Sequence, residues 1–415
     1  MLNIGAKIKE LRKERKMTLA QVAGDRLTKG MLSLIENGKA QPSMESLHYI
    51  ANQLQIDVAE LMQSEDNQKI HDTFMRAEQL FMQQKKEFNK EQYTIKGQEL
   101  LQLIEPFIQS ESLKGNHYEE VRLLEIYLRV RYRLKIDLSI EPFSPLTKMY
   151  ENVHAYSKML NCFSLLCAIR FNMHHYEQAL DYLLEGEKYL ERYNYLIDDL
   201  SKLDFYYNFT VVYAALYNDQ KTFEYLELAL KLAKEKKILY RLNDFYRFSF
   251  YLHCSNGDAQ KSHDYLMKMK AYSAALEDSS DAIATQILTL VYTNQIEQDY
   301  EKALAIAIDY FDIPEEAYAD AKMFVNGEYA YAHLQLQQFA QAKKLLENLY
   351  IPENHQHPAD LGIFYRSYAV RALCYLEEGD HENAKRDILY AMDGVKEFKN
   401  TFDKQFILQA YEQIM

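Results

Sequence analysis

Glycine and proline are scarce in this chain, with 12 and 7 among 415 residues. A turn-rich β architecture needs more of both, so the fold is expected to be helical. No run approaches the roughly 18 apolar residues that a membrane span requires, so no membrane partner is expected. The opening stretch MLNIGAKIKELRKERK alternates charged with apolar positions and does not read as a secretory signal. A cytoplasmic protein is the expectation. Cysteine is rare as well: Cys162, Cys167, Cys254 and Cys374 sit in apolar, helix-like stretches without CxxC or Cys/His ligand spacing. Buried, reduced thiols follow from that pattern. Equally absent are a nucleophile–base constellation, a Gly-rich phosphate loop and an HExxH motif. Neither an enzyme nor a cofactor or metal is therefore expected. His174, His175, His355 and His357 read as isolated turn histidines.

What is present is enough apolar material, 48% of the chain, for substantial cores in two or three domains. Charge is unevenly shared. Residues 1–41 carry nine Lys or Arg against Glu10, Glu14, Asp25 and Glu36. Glu45, Asp57 and Glu60 bring residues 1–62 to +2, and the whole chain is −13, which leaves −15 for residues 63–415. A small basic head on an acidic body fits a nucleic-acid reader attached to something that repels DNA.

The stretch TLAQVAGDRLTKGMLSLIENGKAQP, residues 18–42, predicts two short helices around a tight turn. Thr18 caps the first, with Gln21 as its capping-box partner. Thr28 caps the second, which runs to Glu36 with Leu32 and Ile35 on one buried face. Asn37-Gly38 ends it, because both residues tolerate a left-handed backbone. Ile4, Ile8 and Leu11 recur at helical spacing and build a preceding helix. Ser43 caps a fourth with Leu47, Ile50, Ala51 and Leu54, and Asp57 caps a short fifth ending near Leu61-Met62. Helix, turn and capped helix form the geometry that places the second helix in a DNA major groove.

Leu11-Arg12, Thr18, Ala23, Ile35 to Lys39, Pro42-Ser43 and Leu47 all fall in register with the phage-repressor-like (XRE) helix-turn-helix family, which residues 4–62 resemble. The resemblance implies a structural ion pair between Arg12 and Glu36. It also implies DNA contacts from Thr28, Lys29, Gly30, Met31 and Ser33. Lys29 is the one long donor able to reach a guanine edge, and Met31 can touch a thymine methyl. Phosphate contacts are expected from Lys16, Arg26 and Lys39, with Lys7 and Lys13. The chain departs from the family where Leu19 replaces the usual Gln and Leu34 the frequent Arg. Those departures leave open a head used for docking protein instead of DNA.

Residues 63–69 are wholly polar, and 63–70 are expected to link the head to a domain of residues 71–415. There the sequence repeats. YEQALDYLLEGEKYL from Tyr176, QKTFEYLELALKLA from Gln220, AQKSHDYLMKMKAY from Ala259, YEKALAIAIDYF from Tyr300, FAQAKKLLENLY from Phe339 and HENAKRDILYAM from His381 superimpose at about 40-residue intervals. Small residues at Ala179, Ser262, Ala303, Ala342 and Ala384 permit close helix approach, with Phe223 an exception. Each unit follows an apolar helix: 156–171, 203–217, 242–254, 283–296, 321–335 and 362–377. Six units over residues 153–397 resemble tetratricopeptide repeats. Residues 70–135 read as one or two degenerate units, and Phe402–Ile414 as a terminal cap. The expected class is all-α, a five-helix head followed by a right-handed solenoid of the TPR type.

A solenoid's concave face is lined by the first helix of each pair. An Asn amide there offers two donors and an acceptor to an extended peptide backbone. Asn208 and Asn326, mid-helix among apolar residues, are the leading peptide-binding candidates, with Asn243, Arg170, Arg247 and Arg366. Asn161 also lies on a first helix, while Asn172 and Asn294, near helix ends, are expected to cap or face solvent.

A repressor-like head fused to such repeats resembles the RRNPP-type quorum-sensing regulators (Rap, Rgg, NprR, PlcR and PrgX), nearest in length and repeat number to the NprR branch. The resemblance implies a peptide-responsive regulator that binds double-stranded promoter DNA as a homodimer, or as a tetramer. Tyr207-Asn208 matches the first two positions of the Rap branch's peptide-anchoring Tyr-Asn-aliphatic-Gly pattern. The alternative is a repeat protein that sequesters a phosphorelay response regulator, with the head secondary.

Overall fold

The structure is a computed structural model and describes residues 4–58, 65–87, 89–277, 279–308, 315–353 and 355–415. It is helical, with no strand among the described residues. The chain divides into two compact units, Met1–Glu87 with Glu91–Asp137, and Phe88–Lys90 with Leu138–Met415.

The first unit opens with α1 (Ile4–Glu14), α2 (Leu19–Ala23), α3 (Lys29–Glu36) and α4 (Met44–Leu54). Their starts follow the predicted caps. Thr18 accepts from the Gln21 amide in a complete capping box, Thr28 from Met31 N–H, and Ser43 from Ser46 N–H. Ile8, Val22, Leu32, Ile35, Leu47, Ile50 and Leu54 close one core. Gly5 lets α1 lie against the last turn of α3, since a Cβ there would sit 1.9 Å from the Ile35 carbonyl oxygen. The short fifth helix expected from Asp57 falls mostly on residues outside those described. The expected link is shorter than its polarity suggests. Residues 65–70 already belong to α5 (Glu65–Lys85), which packs with α6 (Lys90–Gln109) and α7 (Tyr118–Arg133) around Phe81, Leu100, Ile104, Leu123, Ile126 and Val130. The start of α5 reads as a linker because its first residues are polar; its apolar stripe begins only at Ile70. The domain boundary expected near residue 70 therefore lies inside the first unit.

In the second unit, after α8 (Ser144–Asn152), antiparallel pairs follow: α9 (Tyr156–Phe171) with α10 (Tyr176–Tyr193), α11 (Asp199–Ala215) with α12 (Asp219–Lys236), and α13 (Leu242–Ser255) with α14 (Ala259–Leu276). Then come α15 (Ser279–Tyr292) before α16 (Tyr300–Ala305), α17 (Glu315–Gln335) with α18 (Phe339–Leu345), and α19 (Pro358–Glu377) with α20 (His381–Gly394). The last helix, α21 (Phe402–Ile414), covers the apolar flank of α19 and α20.

The turn inside each pair is built alike. A residue with left-handed backbone, His174, Tyr217, Gly257, Gln298, Gln337 or Gly379, precedes the N-cap of the second helix. Only two of the six are glycine, so only those two turns were conspicuous in the sequence. Four residues after each cap comes the fully buried small residue: Ala179, Thr222, Ser262, Ala303, Ala342 and Ala384. Phe223 is thus no exception. The second unit was misaligned by one residue, and Thr222 fills the position. Thr222 and Ser262 return their hydroxyls to the cap carbonyls of Asn218 and Asp258, which removes the polarity that disguised them. All four cysteines are buried and free.

Candidate functional site

In the head, α3 is held by one ion pair. Arg12 on α1 donates from Nε to Glu36 Oε1 at 2.6 Å and from Nη2 to Oε2 at 2.8 Å, and its Nη1 reaches the Met17 carbonyl at 3.0 Å. Glu36 is buried. The hydrogen bonds to Glu36 favour the charged guanidinium and, against some burial, raise the Arg12 pKa further. The pair ties the first and third helices and presents neither group outward.

The opposite face of α3 is open. Thr28, Lys29, Gly30, Met31 and Leu34 are exposed, and Ser33 is half-buried. Met31 and Leu34 keep 45% and 44% of their surface, so Lys29 is the one charge on a face that is otherwise hydroxyl-bearing or apolar. Lys16 and Lys39 are exposed nearby. Arg26 lies 3.6 Å from Glu45 and over the Tyr49 ring, so part of its charge is shared.

In the second unit, the structure separates the peptide-site candidates into two groups. Asn208 and Asn326 are half-buried mid-helix residues, and neither side-chain amide makes a hydrogen bond among the described residues. Arg247 is half-buried on α13. Its Nη2 lies 3.0 Å from Asp244 Oδ1 and 3.4 Å from Tyr207 Oη. Burial works to lower the Arg247 pKa, but Tyr207, Asp244, Tyr251 and Asp360 outweigh it and the net shift is upward. Arg170 on α9 has its Nε buried without a partner.

Two candidates are spent on the architecture. Arg366 is 0% exposed. It donates from Nη2 to Glu328 Oε1, lies with Nη1 2.8 Å from Asp403 Oδ1, and sits over the Tyr331 ring. It cannot meet a peptide. The sequence hid this because Glu328 and Asp403, its partners, are 38 and 37 residues away on other helices. Asn243 is likewise buried and donates to Asp281 Oδ1 at 2.6 Å, joining neighbouring pairs. Asn294 is a further correction. Expected to cap or face solvent, it is fully buried and donates to the Glu328 carboxylate at 2.8 Å. Asn172 is exposed at the C-cap of α9, as expected, and Asn161 is half-buried.

Around Arg247, the helices α11, α13 and α19 bring together Tyr207, Asp244, Tyr251 and Asp360. Asp360, on the first turn of α19, interacts with Arg247 and lies 3.7 Å from His355 Nδ1. Burial pushes the Asp360 pKa up, but the hydrogen bond from His355 and the charges of His357 and Arg247 outweigh it and hold the carboxyl below its usual range. His357 stacks on Phe171 at 6.1 Å and meets Phe248 edge-on at 5.9 Å. Tyr176 donates to the Gln356 carbonyl at 2.8 Å. His355 and His357 are therefore not isolated turn residues. Their role escaped the sequence reading because Phe171, Tyr176 and Phe248 are 100 residues or more distant. The nearest signal was a break between helices bracketed by Pro352 and Pro358 and holding two histidines.

Residues 8–61 match the family model described as Helix-turn-helix. No curated protein sequence matches the chain. Among solved structures, PlcR of Bacillus thuringiensis in complex with the peptide PapR7 and DNA is similar at 18% identity, over 69% of this chain and 99% of that one, with a TM-score of 0.40. Apo ComR, a competence regulator from Streptococcus vestibularis, is 18% identical over 70% of this chain and 98% of that one, at a TM-score of 0.32. A signal-transduction ATPase with a tetratricopeptide repeat sensor from Pyrococcus horikoshii is 12% identical, over 100% of this chain and 72% of that one, at 0.42.

Proposed function

We propose that this chain is a peptide-responsive transcription regulator of the RRNPP type, whose head binds promoter DNA and whose helical repeats bind a short peptide. The carrying observation is the open face of α3, held in place from behind by Arg12 and Glu36 inside a matched helix-turn-helix segment. A helix so fixed enters a major groove as a rigid element. Lys29 supplies the base-edge donor, Met31 and Leu34 supply apolar contacts, and Lys16 and Lys39 neutralise phosphates. Arg26, partly shared with Glu45, contributes less.

One head covers a half-site, so specific binding requires a homodimer with reading helices about 34 Å apart, or a multiple of one DNA turn. The half-buried side-chain amides of Asn208 and Asn326 and the half-buried Arg247 support recognition of a peptide main chain and a carboxylate. A coupling of about 1–3 kcal/mol between the two sites corresponds to a 5–150-fold change in DNA affinity. Length and repeat number support kinship with the NprR branch of the group.

Selection of random duplex DNA by the full chain tests the DNA reading. The expected product is a two-half-site sequence, with Lys29→Ala relaxing preference at one base position. Failure to enrich any sequence would refute a promoter-binding role. The scarcity of long donors on α3, where Lys29 stands alone, favours one second reading, in which the helical repeats sequester a response-regulator protein and the head is secondary. Removal of residues 1–62 separates the two, since promoter binding vanishes in the first case and sequestration survives in the second.

A further inference from the structure

In the second unit, Gln356 and His357, which lead into α19, touch α9, α10 and α13, all more than 100 residues earlier. Tyr176 Oη, on the first turn of α10, donates to the Gln356 carbonyl at 2.8 Å. The His357 ring is stacked on Phe171, at an interplanar angle of 24°, and closed from the side by Phe248 at 81°. Phe171 is in turn packed on Tyr176 at 5.0 Å. Three side chains from three helices thus form a slot for one flat ring and for the carbonyl that precedes it.

The occupant fits this slot incompletely. His357 Nδ1 is committed to its own helix, where it accepts from Ala359 N–H at 3.1 Å. Its Nε2 has only the backbone of Val211 in reach and makes no hydrogen bond of good geometry. Gln356 Oε1 and Arg170 Nε are also buried and unpaired. Buried polar atoms without partners favour any replacement that pairs them. The main chain of a free peptide carries the donors and acceptors that this segment lacks.

We propose that Phe171, Tyr176 and Phe248 form a subsite for an aromatic or imidazole side chain of the incoming peptide, and that His357 is its built-in occupant, displaced when the peptide binds. This rests on the reading of the helical repeats as a peptide site and goes beyond it by naming which ligand side chain is selected and what must leave. Tyr176 supplies the main-chain register, and the two phenylalanines supply selectivity for a flat ring over an aliphatic side chain.

A randomised heptapeptide library, panned against the full chain and against His357→Asn, tests this. Asparagine keeps an N-cap acceptor at position 357 while removing the ring, so α19 keeps its start. The expected result is enrichment of His, Phe or Tyr at one position. Selected peptides should bind His357→Asn at least tenfold more tightly than the natural chain. Tyr176→Phe and Phe171→Leu should each weaken that binding while circular dichroism stays unchanged. Peptides that bind without a ring preference, and equally to the natural and His357→Asn chains, would overturn the subsite and leave the receptor reading standing. Recovery of no peptide by either chain would overturn both.

Discussion

Arg12 and Glu36 face each other through two parallel hydrogen bonds of 2.6 and 2.8 Å across the junction of α1 and α3. The carboxylate is buried and the guanidinium nearly so. Removing one partner leaves the other charge without compensation, which costs about 3–5 kcal/mol in a fully buried setting and less where water reaches the arginine. Arg12→Ala is expected to destabilise the head by about 2–3 kcal/mol. Hydrogen exchange in the intact chain should show lost protection across residues 4–54 and unchanged protection in α9 to α21. Unchanged protection in the head would remove the pair from its structural role.

The turns within helix pairs offer a milder test. Gly379 holds φ at +80° with open space around its missing side chain. Gly379→Ala should therefore cost about 1 kcal/mol through backbone strain alone. Gln337 occupies the equivalent place at φ 57°. Gln337→Gly should stabilise by about 0.5 kcal/mol, the relief of strain exceeding the added freedom of the unfolded chain. Urea titrations of the two variants should move in opposite directions.

Arg366 is a fully buried charge of the second unit, between Glu328 and Asp403 and against the rings of Tyr331 and Phe402. Arg366→Met should destabilise this unit by about 3–5 kcal/mol, because two buried carboxylates lose their counter-charge. Pairing it with Glu328→Gln should recover part of the loss. A thermal melt that leaves the single variant at the natural transition would contradict the assignment.

Asp403 gives that cluster a pH dependence. Burial raises its pKa to about 6, against the pull of Arg366 and with the repulsion of Glu328. In the unfolded chain the group titrates near 3.8. The native state therefore holds more protons between these values, and the group's contribution to stability falls as pH rises through that window. Asp403→Asn removes the dependence. The difference in melting temperature between variant and natural chain should shift in favour of the variant from pH 4 to pH 7. A constant difference would show that Asp403 does not titrate there.

Much of the architecture was legible because it is written in neighbours. Capping boxes, three-and-four spacing and the small residue four places after each N-cap are signals within a few residues of one another. They located the head and the helix pairs, while the Arg12–Glu36 pair, 24 residues apart, was implied only by the family resemblance. One slip, Phe223 in place of Thr222, arose because a threonine hydroxyl looks polar until its bond to the Asn218 carbonyl is seen.

The surroundings of the peptide-site candidates were decided by tertiary structure. Whether an arginine on a first helix faces a ligand or a buried carboxylate depends on which distant helix packs beside it. Arg247 and Arg366 look alike in sequence and differ entirely in surroundings. The meeting of Tyr176 with Gln356, and of Phe171 with His357, requires several helix pairs to stack and carry the chain back on itself. Each pair adds a small rotation, and no short window of sequence carries their sum.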